Sequence, residues 1–334
     1  MDYTKGFRVS YYACLVDPVT WTDKERFEIG EGTTINRTET GLRESADLDT
    51  ENFLYGSDKW IRIWMDTEQA GASDHVAIFT GLTSADEAEI NGAVETPVEC
   101  YSVLKPAQDM LLPRGWYAAK GFIGTDVIKR LLSVCPAPVE IEEGSPRLKE
   151  HIIAENGETY LTMIESVLEA IGWRMYIRGN GTIAVGPKPN RIVHTYGHLQ
   201  DDSIELPVKI KRDLFDCPNV LRAVTDNDSV TVRDEDENSP LSIESRGREV
   251  WKEETSVKLS NNETLYSYAA RRLKELQETS EELSYDRAFH PDVHVTDRIM
   301  IHYPGEGLDG IFEVKSQKIK LDADGTTSEE VKKI

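Results

Sequence analysis

The sequence contains no long apolar run. A membrane-spanning helix needs about 18 to 20 consecutive apolar residues, and no stretch of the 334 residues approaches that length. Residues 1–10 are charged and lack the apolar segment of a secretory signal peptide. We therefore expect a soluble protein that is made inside the cell and does not insert into a membrane.

Cysteine is scarce, and its spacing is uninformative. Cys14, Cys100, Cys135 and Cys217 stand far apart along the chain. Zinc sites and redox motifs place cysteines in close pairs, so neither kind of site is predicted. In a chain of this size, such isolated residues indicate reduced, buried thiols.

Positive charge is also in short supply. The chain has 38 Lys and Arg against 60 Asp and Glu, a net charge of −22. Such a surface repels phosphate groups, which argues against specific nucleic-acid binding and against binding to anionic membranes. The hydrophobic content of 39% is still enough for buried cores, and the length suggests two or three domains.

No common catalytic motif is present. The sequence has no Gly-x-Ser-x-Gly elbow, phosphate-binding loop, dinucleotide fingerprint or catalytic-cysteine signature. The Gly-Asn-Gly run at 179–181 precedes a predicted strand, so it indicates a hairpin turn rather than a phosphate site. The acidic run 234–237 lacks the glycine and terminal glutamate of a calcium loop, so we expect a solvated loop. We predict no enzymatic activity and no catalytic, cofactor-binding or metal-binding residue.

The histidines include two pairs at four-residue spacing. His290 and His294 enclose Pro291, which disfavours the helix that would bring both rings to one metal ion. No third ligand is obvious near them, so a structural role is expected. His194 and His198 have the same spacing, and we predict that they lie in a solvent-exposed loop.

The first hundred residues have the pattern of β-structure. A plausible opening strand covers 7–11, and a short apolar run at 76–79 is expected to end at 80–81. Residues 60–65 alternate strictly, and the polar stretch 66–74 then suits a strand connection. The inner face of this strand has Ile61, Ile63 and Met65, whereas the outer face has Trp60, Arg62 and Trp64. This outer face is either an interface with another molecule or a surface that the same chain covers.

The middle of the chain changes to α+β character. One helix is predicted over 126–132, and a second over 158–171 with Asn156 as its cap and Gly172 after its end. A hairpin follows over 173–185.

The last third returns to strands. Strands are predicted at 219–224 and 229–232, then a helix from the cap Asn262 to about Glu278 with an Arg271–Glu275 pair. Further strands are expected around apolar residues near the end of the chain, and 304–307 suits a turn. The residues that mark these strands are Val293, Val295, Ile299, Ile301, Tyr303, Phe312, Val314, Ile319 and Leu321.

Several stretches resemble a known family. They are LLPRGWYAAKG at 111–121, DVIKRLL at 126–132, ETYLTMIESVLEAIGWRMYIRGNGTI at 158–183, NVLRAV at 219–224 and VTVRDEDENSPLSIESRGRE at 230–249. The run 76–81 also resembles a strand that closes the first barrel in this family. Together they resemble phage tail hub proteins of the late control protein D superfamily, in particular the PBSX-like branch of defective prophages and contractile tails. The resemblance extends over about residues 60–321.

The resemblance implies a fold and an assembly. The fold is α+β, mainly β, with two tube-like β-barrel domains at 1–100 and 206–334 flanking an α+β insert at 101–205. The C-terminal domain includes the one long helix. Three chains with two barrels each would form a homotrimeric ring that adapts a sixfold tail tube to a threefold central spike, with a channel that the net charge predicts to be acidic. No cofactor is implied.

The resemblance also implies partners and a location. The partners would be the tail tube protein, the central spike protein, baseplate wedge proteins and, less directly, the tape-measure protein. The protein would belong to the baseplate of a virion or tailocin-like particle assembled in the bacterial cytoplasm. A full phage and a headless, bacteriocin-like contractile injection system both fit. Two other functions remain open: a tail-associated cell-wall hydrolase and a carbohydrate-binding adhesion module.

Overall fold

Strands form most of the regular structure. A computed structural model of the chain describes residues 3, 5–50, 58–84, 98–211, 214–225, 228–255, 257, 264–277, 281–322 and 325–334. The strands are β1 (Arg8–Val16), β2 (Asp23–Glu28), β3 (Thr34–Thr38), β4 (Glu44–Leu48), β5 (Trp60–Gln69), β6 (Ala72–Ser84), β7 (Val98–Ser102), β8 (Tyr117–Ala118), β9 (Val139–Ile141), β10 (Ile152–Ile153), β11 (Trp173–Ile177), β12 (Ile183–Pro187), β13 (Ile192–Gly197), β14 (Ile204–Lys211), β15 (Val220–Val224), β16 (Ser229–Arg233), β17 (Trp251–Glu254), β18 (Glu282–Ala288), β19 (Arg298–Tyr303), β20 (Leu308–Lys320) and β21 (Thr326–Lys333). The helices are α1 (Lys105–Asp109), α2 (Gly124–Leu132), α3 (Tyr160–Ile171), α4 (Ile243–Arg246) and α5 (Leu265–Gln277), with a 3-10 turn at Pro304–Glu306.

The chain divides into two compact units. The larger unit contains residues 1–208 and 284–334, and the smaller contains residues 209–283. The inserted residues 101–205 therefore belong to the same unit as both ends of the chain. The predicted boundaries between three domains, after residues 100 and 205, stay a prediction.

A thirteen-stranded sheet dominates the larger unit. Its main order is β14-β18-β21-β20-β3-β4-β7-β6-β5-β1-β2, and β19 pairs with both β13 and β20. Strands from the two ends of the chain meet where β20 pairs antiparallel with β3, so that Ile319 faces Ile35 with both side chains fully buried. The predicted α+β, mainly β class is confirmed, whereas two separate tube-like barrels stay a prediction.

The hydrophobic pattern predicted the positions of strands more accurately than the residues at which they end. The alternation at 60–65 lies in β5 as predicted, with Ile61, Ile63 and Met65 buried. The predicted connection over 66–74 is wrong, because β5 and β6 extend as a long hairpin and turn only at Ala70 and Gly71. The run at 76–79 does not end at 80–81 either, since β6 continues to Ser84. Polar residues are tolerated at these positions because the part of the hairpin near its turn is largely exposed to solvent.

A helical layer packs on this sheet within the larger unit. The layer comprises residues 103–187, and its core includes Ile128, Leu132, Ile164 and Val167 from α2 and α3. Both helices and the hairpin of β11 and β12 were predicted.

The start of α3 differs from the prediction. Thr159, not Asn156, caps the helix, because its side chain accepts a hydrogen bond from the Thr162 N–H. Gly172 follows the helix with a positive φ of 69°, as predicted for a C-terminal glycine.

The smaller unit is a three-stranded sheet with one long helix. Its strand order is β16-β15-β17, and α5 contributes Leu265, Ala269 and Leu273 to a core with Leu221 and Ala223. The predicted strands and the Arg271–Glu275 pair are confirmed, with 2.5 Å between Arg271 Nη1 and Glu275 Oε1. The predicted cap Asn262 and end Glu278 lie outside the described residues.

The predicted strand positions near the end of the chain are largely correct. Strands β19 and β20 contain the expected residues from Ile299 to Ile319. Val293 and Val295 were predicted in strands, but they lie buried in the loop between β18 and β19. Their burial explains why apolar residues occur there without a strand.

A fully buried ion pair joins three neighbouring strands. Arg287 of β18 donates two hydrogen bonds to the carboxylate of Glu329 in β21, from Nη2 at 2.7 Å and from Nε at 3.0 Å. Tyr285 Oη donates to the same carboxylate at 2.6 Å, and Gln317 Nε2 of β20 donates at 2.8 Å. Because the carboxylate accepts four hydrogen bonds, its charge is compensated without water.

Replacing Arg287 tests this network. Arg287→Met leaves the Glu329 carboxylate buried without its cation, so we expect the free energy of unfolding to fall by about 3–5 kcal/mol. Urea denaturation followed by circular dichroism measures the change. The control is Arg178→Met, which removes an ion pair to Glu140 whose side chains are 46% and 57% exposed, with an expected loss below about 1 kcal/mol. Equal losses for the two variants would contradict this account.

Candidate functional site

The Gly-Asn-Gly turn at 179–181 lies directly against strand β6. The Thr80 hydroxyl donates a hydrogen bond of 2.7 Å to the Gly179 carbonyl. The Asn180 carbonyl accepts from Arg62 Nη2 at 3.0 Å and from Trp21 Nε1 at 3.1 Å. The side chains of Thr80, Arg62 and Trp21 thus join the helical layer to the large sheet by donating hydrogen bonds to backbone carbonyls of the turn. We call this set of hydrogen bonds the turn contact.

The outer face of β5 supplies most of the turn contact. Arg62 is buried, donates from Nε to the Thr80 hydroxyl at 3.1 Å, and forms an ion pair with Asp23. Trp64 donates to the other oxygen of Asp23 at 2.7 Å, and Trp60 packs on Trp21. The same chain therefore covers Arg62 and part of both tryptophans, as the second of the two alternatives predicts, and the first alternative, an interface with another molecule, stays a prediction.

Glycine is required at position 179 because the backbones approach closely. A Cβ atom on Gly179 would lie 1.8 Å from the carbonyl oxygen of Ala77 in β6. No side-chain rearrangement relieves a clash with a backbone atom in the middle of a sheet. The sequence predicted a turn here, but the spacing of the glycines did not indicate that the turn packs against β6.

A second contact joins the helical layer to the turn between β3 and β4. Glu165 of α3 accepts from Arg43 Nη2 at 2.8 Å and from the Gly41 N–H at 3.2 Å. Arg174 of β11 forms a separate ion pair with Asp297, with 2.9 Å between Nη1 and Oδ1. These contacts lie on different elements, so the layer is fixed to the sheet at several points.

The carboxylates offer a test for the hydrolase alternative. Burial raises the pKa of Glu44 to about 7 against the opposing effect of Arg37, and a raised pKa is what a general acid requires. Glu44, however, lines a void of only about 20 Å³, which has no room for a sugar ring.

A larger cleft of about 540 Å³ also contains carboxylates. Its Glu165 is paired with Arg43. Burial acts to raise the pKa of Glu39 in the cleft, but Lys315 and Lys188 outweigh this effect and lower it. The lowered pKa makes Glu39 unsuited to act as a general acid in this cleft.

Two histidines that are distant in sequence meet in the larger unit. His194 and His290 have ring centroids 4.4 Å apart, and His194 Nε2 lies 2.7 Å from Asp201 Oδ2. The prediction that His194 lies in an exposed loop is wrong, because it is part of β13 and half-buried, whereas His198 is exposed. Burial beside His194 lowers the pKa of His290 to about 4.

The described residues contain no group of three or more His, Cys, Asp or Glu side chains placed to hold a metal ion. Within the same residues, no helix has the length and apolar character to cross a membrane. The predicted burial of all four cysteines is confirmed, and desolvation raises the pKa of the Cys135 thiol to about 11. The acidic run 234–237 forms a largely exposed loop, as predicted.

Sequence reasoning missed the groups that hold the sheet together. Arg287 follows Leu283 and Tyr285 at two-residue spacing, so it stands on the buried face of β18. An arginine on the apolar face of an alternating strand signals a buried partner. The identity of that partner, Glu329, depends on strand pairing that the local sequence does not determine.

A glycine substitution tests the turn contact. Gly179→Ala places a methyl group against the Ala77 carbonyl, so we expect the free energy of unfolding to fall by about 1–3 kcal/mol. Gly305→Ala is the control, because a Cβ there meets nothing within 4 Å, and it is expected to change stability by less than about 0.5 kcal/mol. Urea denaturation of both variants measures the change in the free energy of unfolding. A Gly179→Ala protein as stable as wild type would show that the turn is not closely packed.

The half-buried His290 predicts a pH dependence of stability. With its folded pKa lowered to about 4, His290 contributes stability that is present above its unfolded pKa of about 6.5 and lost as the pH falls toward 4. Between pH 6.5 and 4, the free energy of unfolding of His290→Gln should therefore fall by about 1–3 kcal/mol less than that of the wild type. Urea denaturation at several pH values measures this difference, with His151→Gln, an exposed histidine, as control. Identical pH profiles for wild type and His290→Gln would contradict it.

Comparisons with known proteins agree with the sequence resemblance at the level of the fold. No protein-family model matches the chain, and no curated protein matches it. Among solved structures, the tail protein from Neisseria meningitidis MC58 matches 98% of this chain and 97% of its own, with a TM-score of 0.65 and 17% identity. The 43 kDa tail protein of prophage MuSo2 from Shewanella oneidensis matches 96% and 97%, with a TM-score of 0.60 and 11% identity.

A third similar structure is also a prophage tail protein. Prophage tail protein gp18 from Listeria monocytogenes EGD-e matches 96% of this chain and 94% of its own, with a TM-score of 0.53 and 14% identity. All three similarities extend over nearly the whole of both chains. The PBSX-like branch stays a prediction. The chain has the fold of these tail proteins, and its place in the tail hub superfamily stays a prediction.

Proposed function

We propose that this protein is a structural hub of a phage tail or tail-like particle. In this role it forms a homotrimeric ring that adapts a sixfold tail tube to a threefold central spike. The observation that carries the proposal is the full-length similarity in fold to phage tail proteins.

The pairing of β20 with β3 supports the ring. It unites strands from both ends of the chain in one sheet, so each subunit can offer two β-rich segments to a ring. Three subunits would then present six such segments, which is the number that a sixfold tube requires. The net charge of −22 per chain favours an acidic channel, because DNA or a tape-measure protein could then pass without adsorbing.

The proposed partners follow from this position in the particle. The ring would contact the tail tube protein on one side, the central spike on the other and baseplate wedge proteins around it. Its work would be assembly and transmission of the contraction signal, with no substrate turnover. The rigid joint between the helical layer and the sheet suits this role, since a symmetry adaptor must hold its contact surfaces in fixed positions.

The mass of the purified protein tests the ring. We expect native mass spectrometry to give three times the chain mass of 37.7 kDa, and electron microscopy to give threefold rings with a central channel. Added tail tube protein is expected to bind these rings end-on. Particles that are monomeric both alone and with tube protein, or that have another symmetry, would overturn the proposal.

An assay on peptidoglycan separates the hub from the hydrolase. The wild type is expected to leave peptidoglycan intact, because Glu44, whose pKa burial raises, lines a void of only about 20 Å³. Glu44→Gln and Glu39→Gln serve as matched variants if clearing is observed. Clearing that Glu44→Gln abolishes and Glu39→Gln preserves would support the hydrolase instead.

A further inference from the structure

An irregular two-stranded ribbon in the larger unit exposes apolar side chains. The ribbon consists of residues 110–123 and 147–154, joined by the β8–β10 pair and by a hydrogen bond of 3.1 Å from the Ala154 N–H to the Trp116 carbonyl. Tyr117 and Ile153 face each other across the two strands and are 60% and 69% exposed. Leu111 is 62% exposed and Phe122 is 46% exposed. On the opposite face of the same pair, Ala118 is buried and Ile152 is half-buried, so the ribbon has one packed face and one uncovered face.

The ribbon is basic in an acidic protein. It contains four cations, Arg114, Lys120, Arg147 and Lys149, and one carboxylate, Glu150. All four cations are exposed, and none forms an ion pair with another described residue. In a chain of net charge −22, a surface with four exposed cations and one carboxylate has a charge opposite to that of the chain as a whole. Uncompensated cations beside exposed apolar groups therefore indicate a surface for an acidic partner with apolar side chains.

A segment of the same chain has the complementary character. Residues 199–206 contain no Lys or Arg, and Leu199 and Leu206 are 91% and 60% exposed. Asp202 and Glu205 are also exposed, and Glu205 has no ion pair with any described residue. We call residues 199–206 the acidic segment. Its combination of exposed leucines and carboxylates matches the combination of apolar groups and cations on the ribbon.

We infer that the ribbon of one subunit binds the acidic segment of a second copy of this chain. The inference rests on the proposed ring, because it names the surfaces through which identical subunits meet. Two different surfaces in contact form a heterologous interface, and repeated heterologous contacts close into a ring when the rotation between subunits allows it. Aromatic side chains at the centre with opposite charges around them are typical of such interfaces.

Self-association of the full chain tests this contact. Sedimentation equilibrium gives the dissociation constant of the wild type, which we expect to weaken as NaCl rises from about 50 to about 500 mM, because salt screens the charges. Tyr117→Ser/Ile153→Ser is expected to weaken association about tenfold or more, in keeping with loss of central apolar contacts. Val19→Ser is the matched control: Val19 is 91% exposed, belongs to neither surface, and should leave the constant unchanged.

Charge exchange identifies the partner surface. Lys120→Glu and Glu205→Lys should each weaken association by about tenfold, whereas the two changes together should restore it to within about threefold of wild type. Circular dichroism of each variant shows that it is folded. Restoration by the double exchange is a result that a merely destabilised subunit would not give.

Each other outcome overturns the contact. Ribbon variants that assemble like wild type would exclude it and leave the proposed hub ring intact. Ribbon variants that keep self-association but lose binding to tube or spike protein would assign the ribbon to that partner instead. A wild type that remains monomeric at every concentration, alone and with tube protein, would remove both the ring and this contact.

Discussion

The pairing of β20 with β3 is the constraint on which the rest of the larger unit depends. It brings strands that are almost the whole chain apart into one sheet, with Ile35 and Ile319 buried opposite each other. Without it, the strands of either end would have an open edge with unpaired backbone groups. Such a long-range pairing closes a very large loop, which local interactions cannot stabilise. The buried Arg287–Glu329 pair, on the adjacent strands β18 and β21, reinforces this region.

The helical layer depends on the sheet in turn. Its hairpin turn fits against β6 only because Gly179 lacks a side chain, and Arg62 and Trp21 satisfy the Asn180 carbonyl there. The layer has its own core, but its position is set by hydrogen bonds to backbone atoms rather than by apolar packing alone. Directional contacts of this kind fix the orientation of the helical layer on the sheet.

The sequence determined the type of most elements, because burial imposes a period of two on strands and 3.6 on helices. It located β5, α2, α3 and the hairpin after Gly172 correctly. It failed where local pattern and tertiary structure conflict. The polar residues 66–74 form strands because they belong to an exposed hairpin, and Val293 and Val295 are apolar because they are buried in a loop. The meeting of His194 with His290, like that of Arg287 with Glu329, depends on strand order, which no local pattern contains.

The smaller unit enters and leaves the rest of the chain through β14 and β18, which are neighbouring strands of the large sheet. The chain therefore departs and returns at almost the same place, and no other strand lies between the two crossings. Replacing or lengthening a segment inserted in this way leaves the register of the remaining strands unchanged. Residues 209–283 are therefore the part of this chain whose exchange would least disturb the large sheet.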